Sequence, residues 1–247
     1  VQKKGDLNDK LNAAYKYYDK KDYYKATMLF DEVVPLIKGK VEGEKAMFYF
    51  AYCYYYQKQY IMSAYYFREY YETFPRGEFT EESNFMYAKS LFKESPDYNL
   101  DQTNTNDAIR AIQRFATKYP RSGYLEEANG MMDQLNAKLE KKEYESARLY
   151  YRLSEYNSFN LKAAVISFDN FIKQYPSSVH AEEVSFMKVR AQYNLAIHSD
   201  HSKQRERFFE TIDFYHNFID KYPNSKYKRD AESIYEDSIK KLDKLNS

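Results

Sequence analysis

Two histidines, His198 and His201, stand three residues apart with Asp200 between them, a spacing that on a helix would turn two imidazoles toward one face as metal ligands. The residues around them are polar and separate two apolar stretches, so the segment reads as a loop between helices. No other Cys or His lies near it along the chain, and no metal site is expected there. His180 falls in a turn after a proline and His216 in a helical stretch, where capping or packing is the expected role. The one thiol, Cys53, sits between Tyr52 and Tyr54 and has no second cysteine with which to form a disulfide. Its aromatic neighbours mark it as a buried, inert group rather than a nucleophile. Pairs of acids recur, but at helix starts they complement the helix dipole. Glycine-rich phosphate loops, serine nucleophile elbows and the HExxH pattern do not occur. The expectation is a protein that is not an enzyme and needs no cofactor.

What the chain does have is aromatic surface. Its 247 residues include 29 Tyr and 17 Phe, with no Trp and only 6 Gly and 6 Pro. So few breakers argue against the many turns of an all-β chain, and helices should dominate. With 38 Lys+Arg against 37 Asp+Glu the net charge is +1, which offers no bulk attraction to nucleic acid or to an anionic membrane. No run reaches the roughly 18 apolar residues of a membrane span, and residues Val1 to Asp6 have no signal-peptide core.

The elements that must position these rings are marked by prolines. Phe74-Pro75, Tyr119-Pro120, Tyr175-Pro176 and Tyr222-Pro223 each close a stretch of helical periodicity, and proline cannot continue a helix. Two residues later come Gly77, Ser122, Ser178 and Ser225, all turn or cap residues. Acid pairs follow the first three turns at Glu81-Glu82, Glu126-Glu127 and Glu182-Glu183, while the fourth has Arg229-Asp230. Upstream of each proline, a small residue or Thr precedes a large one by a turn: Ser63 and Phe67, Ala108 and Ile112, Ala164 and Phe168, Thr211 and Tyr215. A small residue where two helices cross, followed by a large one that fills the gap, predicts a repeated helical hairpin.

These residues resemble the tetratricopeptide repeat. The first unit matches at Ala14, Tyr17, Ala26 and Phe30, and the second at Ala51, Tyr54, Ser63, Phe67 and Pro75. The third has Ala88, Leu91, Ala108, Ile112 and Pro120, with an insertion from Glu94 to Thr105. A long proline-free run from Tyr124 to Leu153, with Ala147 and Tyr150 at the A-helix places, opens the fourth. The fifth pairs Phe186 to Leu195 with Phe208 to Ile219, and Tyr227 to Leu245 read as a capping helix with Ala231, Ile234, Tyr235, Ile239 and Leu242 on one face. The expected fold is all-α, a right-handed superhelix of about five such hairpins plus the C-terminal capping helix. Residues 1–120 are expected to form an N-terminal lobe of repeats one to three. Residues 121–247 are expected to form a C-terminal lobe of the long helix, repeats four and five and the cap.

The order of the units, the insertion in the third, the long helix and the spacing of Leu139, Glu143, Ala147, Tyr150 and Tyr151 together resemble the BamD family, lipoproteins of the outer-membrane β-barrel assembly machinery. The resemblance implies a non-enzymatic scaffold that takes part in the assembly and insertion of β-barrel proteins. Its implied partners are unfolded outer-membrane proteins, the barrel assembly subunit and accessory lipoproteins. It also implies a lipidated cysteine upstream of Val1, so that the chain reads as a truncated mature form anchored on the periplasmic side of the outer membrane. The alternative is another cell-envelope adaptor built on the same repeats.

On the second A helix, Met47, Phe50, Ala51 and Tyr54 are the expected core positions, which leaves Phe48, Tyr52 and Tyr55 as a second stripe. The same places hold Leu11, Tyr15 and Tyr18 in the first unit and Phe85, Lys89 and Phe92 in the third. In the repeat family this stripe lines the concave face, so these nine residues are the expected client groove. Lys89 or Lys93 would meet the carboxylate that ends an aromatic C-terminal client segment. Arg148, Tyr151 and Arg152, with the loop from His198 to Arg207, are the expected surfaces for docking the barrel assembly subunit, since Arg and Tyr carry interface energy most often.

Overall fold

Apolar residues three and four apart, interrupted by polar turns, divide the chain into helices, and the computed structural model describes these over residues 7–154 and 159–246. In chain order they are α1 (Leu7–Asp19), α2 (Tyr23–Ile37), α3 (Val41–Tyr56), α4 (Tyr60–Thr73), α5 (Thr80–Lys93) and α6 (Thr103–Lys118). Then follow α7 (Leu125–Leu153), α8 (Phe159–Gln174), α9 (Ala181–Ile197), α10 (His201–Lys221) and α11 (Lys228–Asn246). No strand occurs among the described residues. Two compact units result, residues 1–138 and 139–247, with the division inside α7; the sequence expectation placed it after Pro120.

In the first unit α1 packs on α2, α3 on α4 and α5 on α6, and each pair joins the next through α2 on α3 and α4 on α5. In the second, α8 packs on α9 and α9 on α10, while α11 lies against both α9 and α10. This is the helical-hairpin order of a tetratricopeptide array. The small residues stand where the pattern requires them: Ser63, Ala108, Ala164 and Thr211 have no exposed surface. Ser63 also meets Ser90 of α5 across a buried 3.0 Å hydroxyl contact. Other expected packing positions differ. Tyr150 is 40% exposed and Ile239 of α11 is 36% exposed, because Ala147 and Ser238 take the inward places beside them. Tyr215 is half-buried and stacks on Tyr235 instead of entering the core.

The 29 residues of α7 serve both units. Ala128, Met131 and Leu135 complete the core of the first, while Tyr144 and Ala147 pack with α8 and α9 in the second. Within the first unit the insertion between α5 and α6 is tied down by hydrogen bonds. Ser95 Oγ contacts Thr105 Oγ1 at 2.7 Å, and the Lys138 ammonium donates to Ser95 Oγ at 2.7 Å. Gln102, 6% exposed, donates to the Asp97 and Leu100 carbonyls. Burial pushes the Lys138 ammonium below its ordinary pKa.

The proline turns share one joint. The residue four positions after each proline lays its ring flat on a ring of the preceding A helix: Phe79 on Phe48 at 4.2 Å, Tyr124 on Phe85 at 4.5 Å, His180 on Tyr144 at 4.0 Å and Tyr227 on Phe186 at 4.8 Å. A third ring, five positions before the proline, closes on the same A-helix residue; it is Tyr70, Phe115, Phe171 or Phe218. Each of these four is no more than 2% exposed.

A hydroxyl relay runs beside the rings. Ser178 Oγ accepts the His180 amide at 2.9 Å and donates to Glu140 at 2.5 Å. Ser225 Oγ likewise accepts the Tyr227 amide at 3.0 Å and donates to Glu182 at 2.6 Å. Glu182 is therefore the acceptor for the next repeat's turn as well as an acid at a helix start, and it lies one helical turn before the stacking ring Phe186. In the first copy, Gly77 stands in the serine's place and the Tyr70 hydroxyl performs the relay, accepting the Phe79 amide at 3.2 Å and donating to Glu44 at 2.8 Å. A Cβ at Gly77 would lie 2.8 Å from that hydroxyl and collide with Glu44 Oε1.

The joint sets an order of costs measurable by urea unfolding. Phe186→Ala should cost about 3 kcal/mol or more, because it opens a cavity under two other rings. Ser225→Ala should cost about 1 kcal/mol, the worth of one hydrogen bond. Gly77→Ala should destabilise by about 1–3 kcal/mol through overpacking, and Ser122→Gly should not reproduce that loss. Wild-type urea midpoints for Phe186→Ala and Gly77→Ala would show that the joint is incidental.

Candidate functional site: an aromatic face on the first unit

The expected stripe on α3 is turned by one position. Phe48 is only 6% exposed and Phe85 2% exposed, because both are the A-helix rings of the proline joints. They belong to the core and are not groove residues. Outward places on α3 go to Lys45, Tyr49, Tyr52 and Tyr56, spaced four, three and four. Tyr54, assigned to the core from the sequence, is half-buried and stacks on Tyr66 at 5.1 Å.

Around these residues the tyrosines form a continuous path of rings. Tyr49 meets Tyr15 edge-on at 5.6 Å and Tyr18 edge-on at 4.6 Å. Tyr18 continues to Tyr23 at 5.6 Å, and Tyr23 stacks on Tyr56 at 4.6 Å. Tyr56, 47% exposed, stacks on Tyr52 at 5.6 Å, and Tyr55 meets Tyr60 at 5.5 Å. Edge-on and offset contacts of this kind contribute about 0.5–1.5 kcal/mol each beyond burial. Leu11 and Phe92 are half-buried against the same core. Burial pushes Tyr15 and Tyr55 up to about 12. Burial and then the hydrogen bond to Glu82 push Tyr52 higher still. These hydroxyls stay protonated at neutral pH, so the face is uncharged and amphipathic.

Charge enters through lysines. The Lys45 ammonium stands 5.6 Å from the centres of both the Tyr15 and Tyr49 rings, and no carboxylate is paired with it among the described residues. Lys89, by contrast, pairs with Glu127 at 2.7 Å while lying 5.5 Å over Phe85. Lys93, exposed and 5.6 Å over the Phe92 ring, likewise has no paired carboxylate among the described residues, so Lys45 and Lys93, and not Lys89, are the cations left open here. For Lys45 the sequence did carry the signal: Lys45, Tyr49, Tyr52 and Tyr56 share helical spacing.

The residues expected to dock a partner on α7 also divide. Arg148 pairs with Glu145 at 3.4 Å and caps the Tyr144 ring at 5.2 Å, while the Tyr151 hydroxyl accepts a hydrogen bond from Asn194 at 3.1 Å. Both are half-buried in their own unit, and Arg152 is exposed. Beside it stand Leu149, Tyr150 and Leu153, 47%, 40% and 41% exposed, none of which the sequence reading assigned to docking. The segment from His198 to Arg207 is mostly the first turns of α10, not loop. His198 Nδ1 contacts the Asn194 carbonyl at 2.8 Å, and no cluster of three metal-ligating side chains occurs among the described residues. His180 packs as expected, on Tyr144.

The family model for YfiO, described as an outer membrane lipoprotein, matches residues 5–160 and 153–244. The curated outer membrane protein assembly factor BamD of Caulobacter vibrioides is 25% identical over 127 residues, covering 51% of this chain and 40% of that protein's length. Among solved structures, the P58(IPK) tetratricopeptide domain is similar at TM-score 0.45 and 13% identity over 95% of this chain and 58% of its own. The TPR2AB domain of yeast Sti1 is similar at TM-score 0.44 and 15% identity over 94% and 98%.

Beneath the tyrosine face Cys53 has no exposed surface, and burial pushes its thiol from 9.0 up to about 12 in spite of a hydrogen bond with Thr27. A raised value leaves the folded state with the neutral thiol where the unfolded chain already holds some thiolate. Iodoacetamide at pH 8 should modify Cys53 roughly a thousandfold more slowly in the native protein than in denaturing urea. Equal rates by mass spectrometry would contradict its burial.

Proposed function

The chain belongs to the YfiO family of outer-membrane lipoproteins, and from that membership we propose that it is a non-enzymatic scaffold in the assembly of β-barrel proteins into the outer membrane. The family match along nearly the whole length, through both units, carries this reading. The matched relative is named an outer membrane protein assembly factor, and the present chain would act in the same way, held by a lipid anchor on the periplasmic face. Its work would be to bring an unfolded client and the barrel assembly subunit together.

The client would lie on the aromatic face of the first unit. A C-terminal segment of alternating aromatics could lay its rings against Tyr15, Tyr18, Tyr49, Tyr52 and Tyr56, while its terminal carboxylate meets Lys45. Tyrosine suits intermittent occupancy, since its hydroxyl stays hydrated when the ligand leaves. The second unit would dock the assembly subunit through Leu149, Tyr150, Arg152 and Leu153 on α7, an exposed apolar strip flanked by a cation.

Two experiments separate these roles. A peptide ending in alternating aromatics should bind at micromolar strength with a negative heat-capacity change. Tyr49→Ser or Tyr56→Ser should each cost about 1 kcal/mol of that binding, whereas Phe48→Ser should mainly lower the melting temperature, costing about 3 kcal/mol or more in stability. Identical behaviour of the two sets in calorimetry would reject the client face. For the partner, Leu149→Asp with Leu153→Asp should weaken co-purification with the barrel assembly subunit while leaving the thermal midpoint nearly unchanged. Undiminished co-purification would exclude this strip, and loss of the interaction on removing residues 1–75 alone would contradict the division of roles.

A further inference from the structure

The second unit holds a groove that the scaffold role just described does not use. It runs between α8 and α10 over α9, as a cleft of about 330 Å³ and one of about 150 Å³ that share Phe214. On α10 its wall is Lys203, Arg207, Glu210, Phe214, Asn217 and Lys221, spaced four, three, four, three and four, so one helix face lines the entire length. That stretch spans roughly 27 Å at the helical rise, the length of about eight extended residues. The opposite wall gives Lys162, Val165, Ile166 and Ile172 from α8, and Leu195 contributes to the floor from α9.

The charges in this groove are unequally satisfied. Glu210 receives the Gln192 amide at 2.6 Å, and Gln192 is itself only 2% exposed. Asp169, on α8 beside the groove, pairs with Lys173 and Lys188, both at 2.6 Å. Burial alone would raise its carboxyl, but those two hydrogen bonds hold it below the usual range. Lys188 lies 3.7 Å over the Phe214 ring, and Arg207 is held by Ser199. What remains for a ligand is the exposed trio Lys162, Lys203 and Lys221, none paired with a carboxylate among the described residues, against the single unpaired carboxylate of Glu206. Between these cations lies apolar surface, including Ile166 at 51% exposure.

We propose that this groove docks a short, extended, acidic amphipathic segment of a partner protein, with apolar side chains against Val165, Ile166 and Phe214 and carboxylates on Lys162, Lys203 and Lys221. Charge complementarity selects the occupant. Asp169 is neutralised from within and Glu210 is hydrogen-bonded to Gln192, so the three unpaired lysines outweigh Glu206: an acidic segment meets net positive charge, and a basic one meets like charge at both ends. Apolar residues alternating with acids put one face of an extended strand on the floor and the other toward the rim.

Fluorescence anisotropy on the full chain tests this with a labelled decapeptide of alternating Leu and Glu, beside its Leu/Gln and Leu/Lys counterparts. The Leu/Glu peptide should bind at micromolar strength and weaken as salt rises. The Lys162→Glu/Lys203→Glu double variant should lower its affinity about tenfold or more, and Ile166→Asp should do the same without added cation loss. Both sites are exposed, and an unchanged circular dichroism melt verifies folding. Tyr49→Ser in the first unit should leave this affinity within twofold, which separates failure of the groove from failure of the client face. The proposal is overturned by equal binding of the Leu/Gln or Leu/Lys peptide, by an equal loss from Lys240→Glu on α11, or by absence of Leu/Glu binding.

Discussion

The stack between an A-helix ring and the ring four residues beyond the next proline holds this protein together. Proline ends a B helix for steric reasons, but ending a helix does not fix where the chain goes next. Direction comes from Phe79, Tyr124, His180 and Tyr227, each of which lies flat on the preceding A helix and so draws the start of the following one against it. The relay through serine, or through Tyr70 over Gly77, satisfies the amide of the stacking residue and ties the turn to a glutamate one helical turn before the ring. Apolar contact supplies the stability and the hydrogen bonds supply the geometry.

That joint also decides what is left for function. Because Phe48 and Phe85 are spent in it, the outward face of α3 begins at Lys45 and Tyr49, and the α5 side of the tyrosine face offers Glu82 and a Lys89 already paired with Glu127. The face of the first unit accordingly presents phenol rings with the Lys45 ammonium beside them. In the second unit the joint uses Tyr144 and His180, and Arg148 is drawn in to cap the Tyr144 ring. The exposed strip on α7 is therefore apolar, Leu149 with Tyr150 and Leu153, and not the arginine-rich surface its composition would indicate.

The first unit carries most of the tyrosine, packed ring on ring with hydroxyls kept neutral by burial. The second carries lysines along an inter-helix groove in which Glu210 and the neighbouring Asp169 have internal partners. The two units therefore present surfaces of different chemistry, aromatic with a lysine at its edge in the first and lysine-lined in the second.

Much of this was legible in the residues alone. Steric rules at proline, small residues at helix crossings and apolar spacing determined the all-helical hairpins, the positions of the four turns, the long α7 and the inert Cys53, because each depends on interactions within a few residues or on residue size. Which ring faces outward was not determined in this way. Phe48 and Tyr49 are adjacent aromatics roughly 100° apart on one helix, and a hydropathy pattern cannot choose between them. The choice is made by Phe79, thirty-one residues later, whose ring needs Phe48 beneath it. The fate of Lys89 was likewise set by Glu127 on another helix, and that of Arg148 by the ring of Tyr144. Local sterics write the helices, but a side chain's role in the site depends on partners distant along the chain, and only the folded structure brings those partners within contact distance.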